Sequence, residues 1–250
     1  MSSSTPSISV RDYQWSLGVP GDLALSVDEI HVWKQDLARA RAEVEFFRRL
    51  LSPDELERAE RFRFDTNRVE YIVIRGTLRT LLGSYLGVSP RELQFLYSEY
   101  GRPSLADGVS SATLNFNVAH SGEVALFAFA RGRQIGIDVE RVRRDFGTSE
   151  VAERFFSSAE RIALRQLAED DQHEAFFRCW TRKEAFIKAL GEGLSHPLDQ
   201  FDVTLTPSEP ATLLATRPDA SEVRRWMLWD IQISDDYAAA LAAEISHSST

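Results

Sequence analysis

Ile30-His31-Val32-Trp33 with Ser52-Pro53-Asp54-Glu55, and Ile135-Gly136-Ile137-Asp138 with Ser157-Ser158-Ala159-Glu160, decide the fold, because the second pair repeats the first at one constant offset. Each four-residue run reads as a strand, and each Ser ahead of an acidic first turn reads as a helix N-cap. A long apolar-periodic helix follows in each half, Arg68 to Leu86 and Glu174 to Leu190, with Gly87 and Gly191 as C-caps. Each half then closes in strands: Leu93 to Ser98, Leu114 to Ala119 and Glu123 to Ala130 in the first, Phe201 to Leu205, Arg224 to Ile233 and Tyr237 to Ala243 in the second. His120-Ser121-Gly122 and Ser234-Asp235-Asp236 stand where tight hairpin turns are expected. The expected fold is α+β, a pseudo-twofold duplication of two similar halves, each a small antiparallel sheet packed with helices. The halves are 1–132, with a frayed start to about residue 22, and 133–250, frayed from about residue 246.

Composition narrows the function. With 43% hydrophobic and 27% charged residues over 250 positions, the chain has the material for one large globular domain or two small ones. Its net charge of -9 argues against general nucleic-acid binding. No apolar run reaches membrane-spanning length, and Met1-Ser2-Ser3-Ser4-Thr5-Pro6 lacks the basic start and apolar core of a signal peptide. Cys179 is the single cysteine and has no internal disulfide partner, so a reducing cytoplasm is expected. It follows Phe176-Phe177-Arg178 on the core side of a helix and reads as inert packing.

The halves differ in charge. At the repeat offset Asp138 corresponds to Trp33 and Glu140 to Gln35, so duplication explains the apolar positions and leaves the acids unexplained. On a strand Asp138 and Glu140 share one face, roughly 7 Å apart at about 3.3 Å rise per residue. One reading is a solvated face on which Glu140 pairs with Arg141 or Arg143. The other is a cation site, since two like charges held close need one. Glu184, in Trp180-Thr181-Arg182-Lys183-Glu184-Ala185-Phe186-Ile187-Lys188, falls at the edge of the apolar face of its helix, where an ionised carboxylate needs a partner. Lys188, one turn on, is either its i,i+4 ion-pair partner or is aimed at an anion that the metal also binds. Oxygen-only ligands favour Mg2+ over zinc, and no Cys or His cluster has zinc spacing.

Four stretches in order now resemble a known signature: Phe116-Asn117-Val118-Ala119-His120-Ser121-Gly122, Ile135-Gly136-Ile137-Asp138-Val139-Glu140, Arg154-Phe155-Phe156-Ser157-Ser158-Ala159-Glu160, and Trp180 through Leu194. They are similar to the 4'-phosphopantetheinyl transferases of the longer, monomeric type that activates nonribosomal peptide and polyketide synthetases. Tyr100-Gly101-Arg102-Pro103 resembles a fifth block. The resemblance covers about Leu51 to Phe201 and implies a pseudo-dimer of two α/β halves. It implies transfer of the phosphopantetheine arm of coenzyme A to a serine of an acyl or peptidyl carrier protein, with release of adenosine 3',5'-bisphosphate. By the same resemblance Asp138, Glu140 and Glu184 hold Mg2+ against the pyrophosphate, Lys188 neutralises growing charge, and Glu184 is also the candidate base, ligand first and base second. His120 would meet a phosphate of coenzyme A, and Arg102 with Pro103 the 3'-phosphate and adenine. Arg75 matches a recurrent basic position, its alternative being a long side chain that reaches out of a partly buried helix. Asp54 and Glu55 stand where some relatives carry bases, which leaves Arg58 and Arg61 as substitutes.

Two other classes use the same residues: a metal-dependent phosphohydrolase acting on coenzyme A, with water as nucleophile, and a non-catalytic carrier-protein-binding module. The second is expected to have lost an acid or Lys188, and this chain keeps all four groups. Carrier proteins are commonly acidic, so docking on this acidic chain calls for a local surface, either Arg141-Val142-Arg143-Arg144 or the segment Leu105 to Ser111.

Overall fold

Two passes of one pattern build the protein. The computed structural model describes residues 5–13, 21, 23–98, 101, 103–106, 114–191, 196–217 and 219–245. After β1 (Ser7–Asp12), the first half runs β2 (Glu29–Asp36), α1 (Leu37–Ala40), α2 (Val44–Arg48), α3 (Pro53–Glu60), α4 (Asp65–Leu86), β3 (Phe95–Tyr97), β4 (Pro103–Leu105), β5 (Leu114–Ser121) and β6 (Val124–Arg131). The second runs β7 (Ile135–Arg141), α5 (Thr148–Phe155), α6 (Ser158–Gln166), α7 (Glu169–Leu190), β8 (Phe201–Val203), β9 (Leu213–Thr216), β10 (Trp226–Asp230) and β11 (Tyr237–Glu244). The strand orders are β1-β2-β6-β5 and β10-β11-β7, so in each half the last strand lies between the first and the penultimate. Register repeats as well: Trp33 lies opposite Phe127 and Gln35 opposite Ala125, while Asp138 lies opposite Ala240 and Glu140 opposite Ala238. Both long helices have 22 residues and end on a left-handed glycine, Gly87 and Gly191.

The repeat extends to buried charge. Ser52 with Glu55, and Ser157 with Glu160, form capping boxes at the starts of α3 and α6. Each glutamate is buried and paired with a cation from the long helix of its own half. Arg79 Nε lies 2.6 Å from Glu55 and Lys183 Nζ 2.7 Å from Glu160. Each cation also donates to carbonyls beyond its helix, Arg79 to Pro90 and Leu93, Lys183 to Phe201. A desolvated pair with its remaining donors satisfied meets the condition under which a buried ion pair is tolerated.

What separates the halves is the distance of helix from sheet. The two sheets share one apolar cluster, with Ile30, Val32, Leu126 and Ala128 from one and Ile137, Val139, Leu241 and Ala243 from the other. On its outer face the first sheet carries Trp33, Phe127 and Phe129, which fill the space under α4 together with Tyr85. The second carries Gly136, Ala240 and Ala242 there, and α7 answers with Ala185 and Ala189. As a result α7 lies directly along β7 and β11, while α4 stands off behind its aromatic residues. A Cβ on Gly136 would fall 2.1 Å from the Ala185 carbonyl oxygen and 2.4 Å from the Ala189 nitrogen.

Several expectations need correction. The start is not frayed over its whole length: β1 pairs in parallel with β2, from Ser7 opposite Glu29 to Asp12 opposite Lys34, and Tyr13 is buried in the first core. Its alternation of Ile8 and Val10 with polar residues is an ordinary strand pattern embedded in a Ser-rich segment. His120 and Ser121 still belong to β5, and the turn falls at Gly122-Glu123 with Gly122 at φ 56°. The strand expected over Arg224 to Ile233 is limited to Trp226–Asp230. No helix among the described residues is long and apolar enough to cross a membrane.

Candidate active site

The close approach of α7 to β7 brings four charged side chains to one cleft. Asp138 and Glu140 project from β7 on the side of α7, and Glu184 and Lys188 come from α7; all four line a cavity of about 850 Å³. Lys188 Nζ lies 2.6 Å from Asp138 Oδ1, so this lysine bridges helix to strand. The i,i+4 pair with Glu184 is therefore not the arrangement adopted. Nor does Glu140 pair with Arg141 or Arg143: it accepts from the Ser121 hydroxyl at 2.7 Å. Asp138 is 4% exposed and Glu184 9%. Burial pushes the Asp138 carboxyl up to about 6, against the pull of Lys188 and with a smaller push from Glu140. Burial also pushes Glu184 up to about 7, the Asp138 charge adding to the effect and Lys188 opposing it.

Asp138 Oδ2 and Glu184 Oε1 are buried and have no hydrogen-bond donor. Two orphaned carboxylate oxygens in one cavity are costly in the absence of a cation, and they are the observation on which a metal fits here. Among the described residues no three carboxylate, imidazole or thiolate side chains converge closely enough to hold a metal ion by themselves. The two orphaned oxygens of Asp138 and Glu184 would fit a hard cation that takes few protein ligands and fills its shell with water and phosphate, as Mg2+ does.

A second cavity, of about 340 Å³, lies in the first half. Val118 and His120 line both cavities, which therefore meet along the end of β5. Arg58, Arg75 and Pro103 line the second one, with Tyr71 and Tyr97. The Arg58 guanidinium sits over the rings of Tyr71 and Tyr97 at 5.6 and 5.7 Å. Arg75 follows neither expectation completely. It lines the cavity but does not reach out of its helix, because its Nε is held 2.9 Å from Glu55 and it also donates to the Tyr97 hydroxyl. Arg61 turns away into an exposed pair with Glu57. Arg102 and residues 107–111 of the second docking segment lie outside the described residues. Cys179 is fully buried, and burial pushes its thiol well up, which accords with packing.

Comparison with known proteins decides the family. Residues 134–242 match the 4'-phosphopantetheinyl transferase superfamily, and residues 37–131 match a family described as 4'-phosphopantetheinyl transferase, N-terminal. The 4'-phosphopantetheinyl transferase HetI of Nostoc sp. is 40% identical over 223 residues, covering 89% of this chain and 91% of that one. The chain belongs to the 4'-phosphopantetheinyl transferase superfamily. The transferase is also 32% identical over 170 residues to 4'-phosphopantetheinyl transferase Sfp of Bacillus subtilis, covering 68% of this chain and 73% of that one.

The transferase has lining residues that sequence reasoning did not single out. Trp180 sits one turn before Glu184 on the same face of α7 and walls the larger cavity with Arg154 and Phe155. Phe155 and Trp180 meet edge to face, 5.8 Å between centroids. The spacing of Trp180, Glu184 and Lys188 was a usable signal, since i, i+4 and i+8 share one helix face. Tyr71 and Tyr97 had no such signal, because their convergence depends on β3 folding back over α4.

Proposed function

We propose that this transferase moves the 4'-phosphopantetheine arm of coenzyme A onto a serine of an acyl or peptidyl carrier protein, with Mg2+, and releases adenosine 3',5'-bisphosphate. The observation that carries the reading is the pair of orphaned carboxylate oxygens beside Lys188, in a cleft that continues past His120 into a pocket lined by Arg58 and tyrosines. That layout suits a ligand with a doubly charged middle and an aromatic, phosphorylated end. Asp138, Glu140 and Glu184 would hold the ion, which would draw charge off the pyrophosphate. Arg58, Arg75, Arg102 and Pro103 would meet the nucleotide, and His120 a phosphate at the junction. Lys188 Nζ would supply a fixed positive charge where negative charge grows on the leaving phosphate. Glu184 titrates near neutrality and would accept the serine proton through an oxygen left free. The serine oxygen then bonds to the phosphorus that bears the pantetheine arm, and that phosphorus parts from the bridging oxygen. Since one chain supplies both halves of the cleft, the working unit is taken as a monomer.

The test is mass spectrometry of an apo carrier protein incubated with coenzyme A, Mg2+ and the transferase. A phosphopantetheine adduct is expected, absent with EDTA and with Asp138→Ala. Free hydrolysis of coenzyme A with no adduct on any of several carriers would replace the transfer reading by phosphohydrolysis.

For carrier docking the exposed Arg143 and Arg144 are the proposed contact. They follow β7, and the Arg143 guanidinium lies 4.9 Å from the Phe146 ring, with no ion pair among the described residues. Replacing both by Glu should raise KM for an acidic carrier about tenfold and leave KM for coenzyme A alone. An unchanged carrier KM would exclude this surface.

A further inference from the structure

The two sheets meet along β5 and β7, but these strands share no main-chain ladder. Side chains of β5 do the joining instead. Asn115 donates to the Arg133 carbonyl at 2.8 Å, Asn117 accepts from the Ile137 N-H at 2.9 Å, and Ser121 accepts from the Arg141 N-H at 3.1 Å. These are alternate residues on one face of β5, the series broken at Ala119. Ser121 differs from the two asparagines because it has a second partner. Its hydroxyl also donates to Glu140 Oε2 at 2.7 Å. A hydroxyl has one hydrogen, and the Arg141 N-H occupies an acceptor site of this one, so the hydrogen is directed at Glu140. Among the described residues that hydroxyl is the one hydrogen-bond donor to the Glu140 carboxylate.

We propose that Ser121 is a positioning residue that turns Glu140 toward the metal, so that a residue of the first half sets the ligand geometry of the second. The proposal rests on the metal-site reading given above. Each acid of the cleft is then held differently: Asp138 by Lys188, Glu140 by Ser121, while Glu184 presents a buried oxygen without a donor. The repeat shows that this arrangement is specific to the cleft. Gln35, at the position equivalent to Glu140, accepts from Thr77 of its own half at 2.9 Å, so its side-chain oxygen is held from within that half. Partners that orient a ligating side chain typically change metal affinity by about 10–100-fold when they are removed.

The test compares two variants of equal shape, Ser121→Thr and Ser121→Val, with Asn117→Ala as a control of the seam. Binding of Mn2+ is read by electron paramagnetic resonance of the free ion, on the protein with coenzyme A and no carrier. Ser121→Thr, which keeps the hydroxyl, should bind Mn2+ within about threefold of the parent, and Ser121→Val about 10–100-fold more weakly. Asn117→Ala should lower the thermal midpoint and leave Mn2+ affinity unchanged, because its side chain secures the seam without touching an acid. Equal Mn2+ affinity in Ser121→Val and the parent would overturn the proposal, as would equal weakening in both Ser121 variants. A parent protein whose Mn2+ binding is absent, or is insensitive to Glu184→Gln, would remove the metal-site reading itself, and that result is distinct from the other two.

Discussion

Glu184→Gln is expected to slow transfer by orders of magnitude while making the metal-free protein more stable at pH 8. The sign follows from its titration. In the folded protein the Glu184 carboxyl is raised to about 7 from an ordinary value of 4.5, so between those values the folded state binds the proton that the unfolded state has released. Stability therefore falls as pH rises through that window, and the loss is complete above about pH 7. Glutamine has no charge to bury, so the variant avoids a penalty on the order of 3 kcal/mol at pH 8. Thermal unfolding at pH 8 and pH 4.5 in EDTA checks it: the stabilisation should be present at the first and absent at the second. Added Mg2+ should then raise the midpoint of the parent and not of the variant. Transfer to carrier protein should fall by about 10²–10³ or more, the range for removing one preorganised electrostatic contact. A variant no more stable than its parent at pH 8 would mean that Glu184 is not an uncompensated buried acid.

Gly136→Ala should have the largest effect on the fold itself. The added methyl carbon would lie 2.1 Å from one backbone atom of α7 and 2.4 Å from another, and backbone cannot step aside as a side-chain tip can. Gly136 has ordinary extended backbone, so crowding is the sole cause of the effect. Overpacking of a core costs typically about 1–3 kcal/mol, and the upper end or beyond is expected here. For a chain of this size that corresponds to a thermal midpoint lower by about 6–12 °C. If α7 moves off instead, the 2.6 Å bond between Lys188 and Asp138 lengthens and transfer is lost even in the folded fraction. Gly147→Ala is the control, since a Cβ there meets nothing within 4 Å, and it should leave both midpoint and activity in place.

Much of this is legible in the amino-acid sequence. The repeat of strand, Ser-capped helix and glycine-ended long helix holds in detail, because periodicity and caps are local properties of the chain. Local periodicity also put Asp138 with Glu140 on one strand face and Glu184 with Lys188 on one helix face, while the meeting of the two faces is tertiary. Their pairing did not follow: Lys188 has Glu184 one turn away on its own helix, yet binds Asp138 because α7 lies so close to β7. Arg75 was ambiguous for the same reason, since the Glu55 that holds it belongs to a different helix.

By itself the sequence determined two α+β halves, the elements in each, and a second half enriched in acids where the first has Trp33 and Gln35. Only the tertiary structure decided that Gly136, Ala185 and Ala189 let the second helix settle onto its sheet while Trp33, Phe129 and Tyr85 hold the first one off. It decided too that Glu140 is held by Ser121 of the other half. The physical reason is range: hydrophobic period and capping act within a few residues, whereas helix-to-sheet distance and carboxylate desolvation depend on side chains far apart in the chain that meet only once the core has packed.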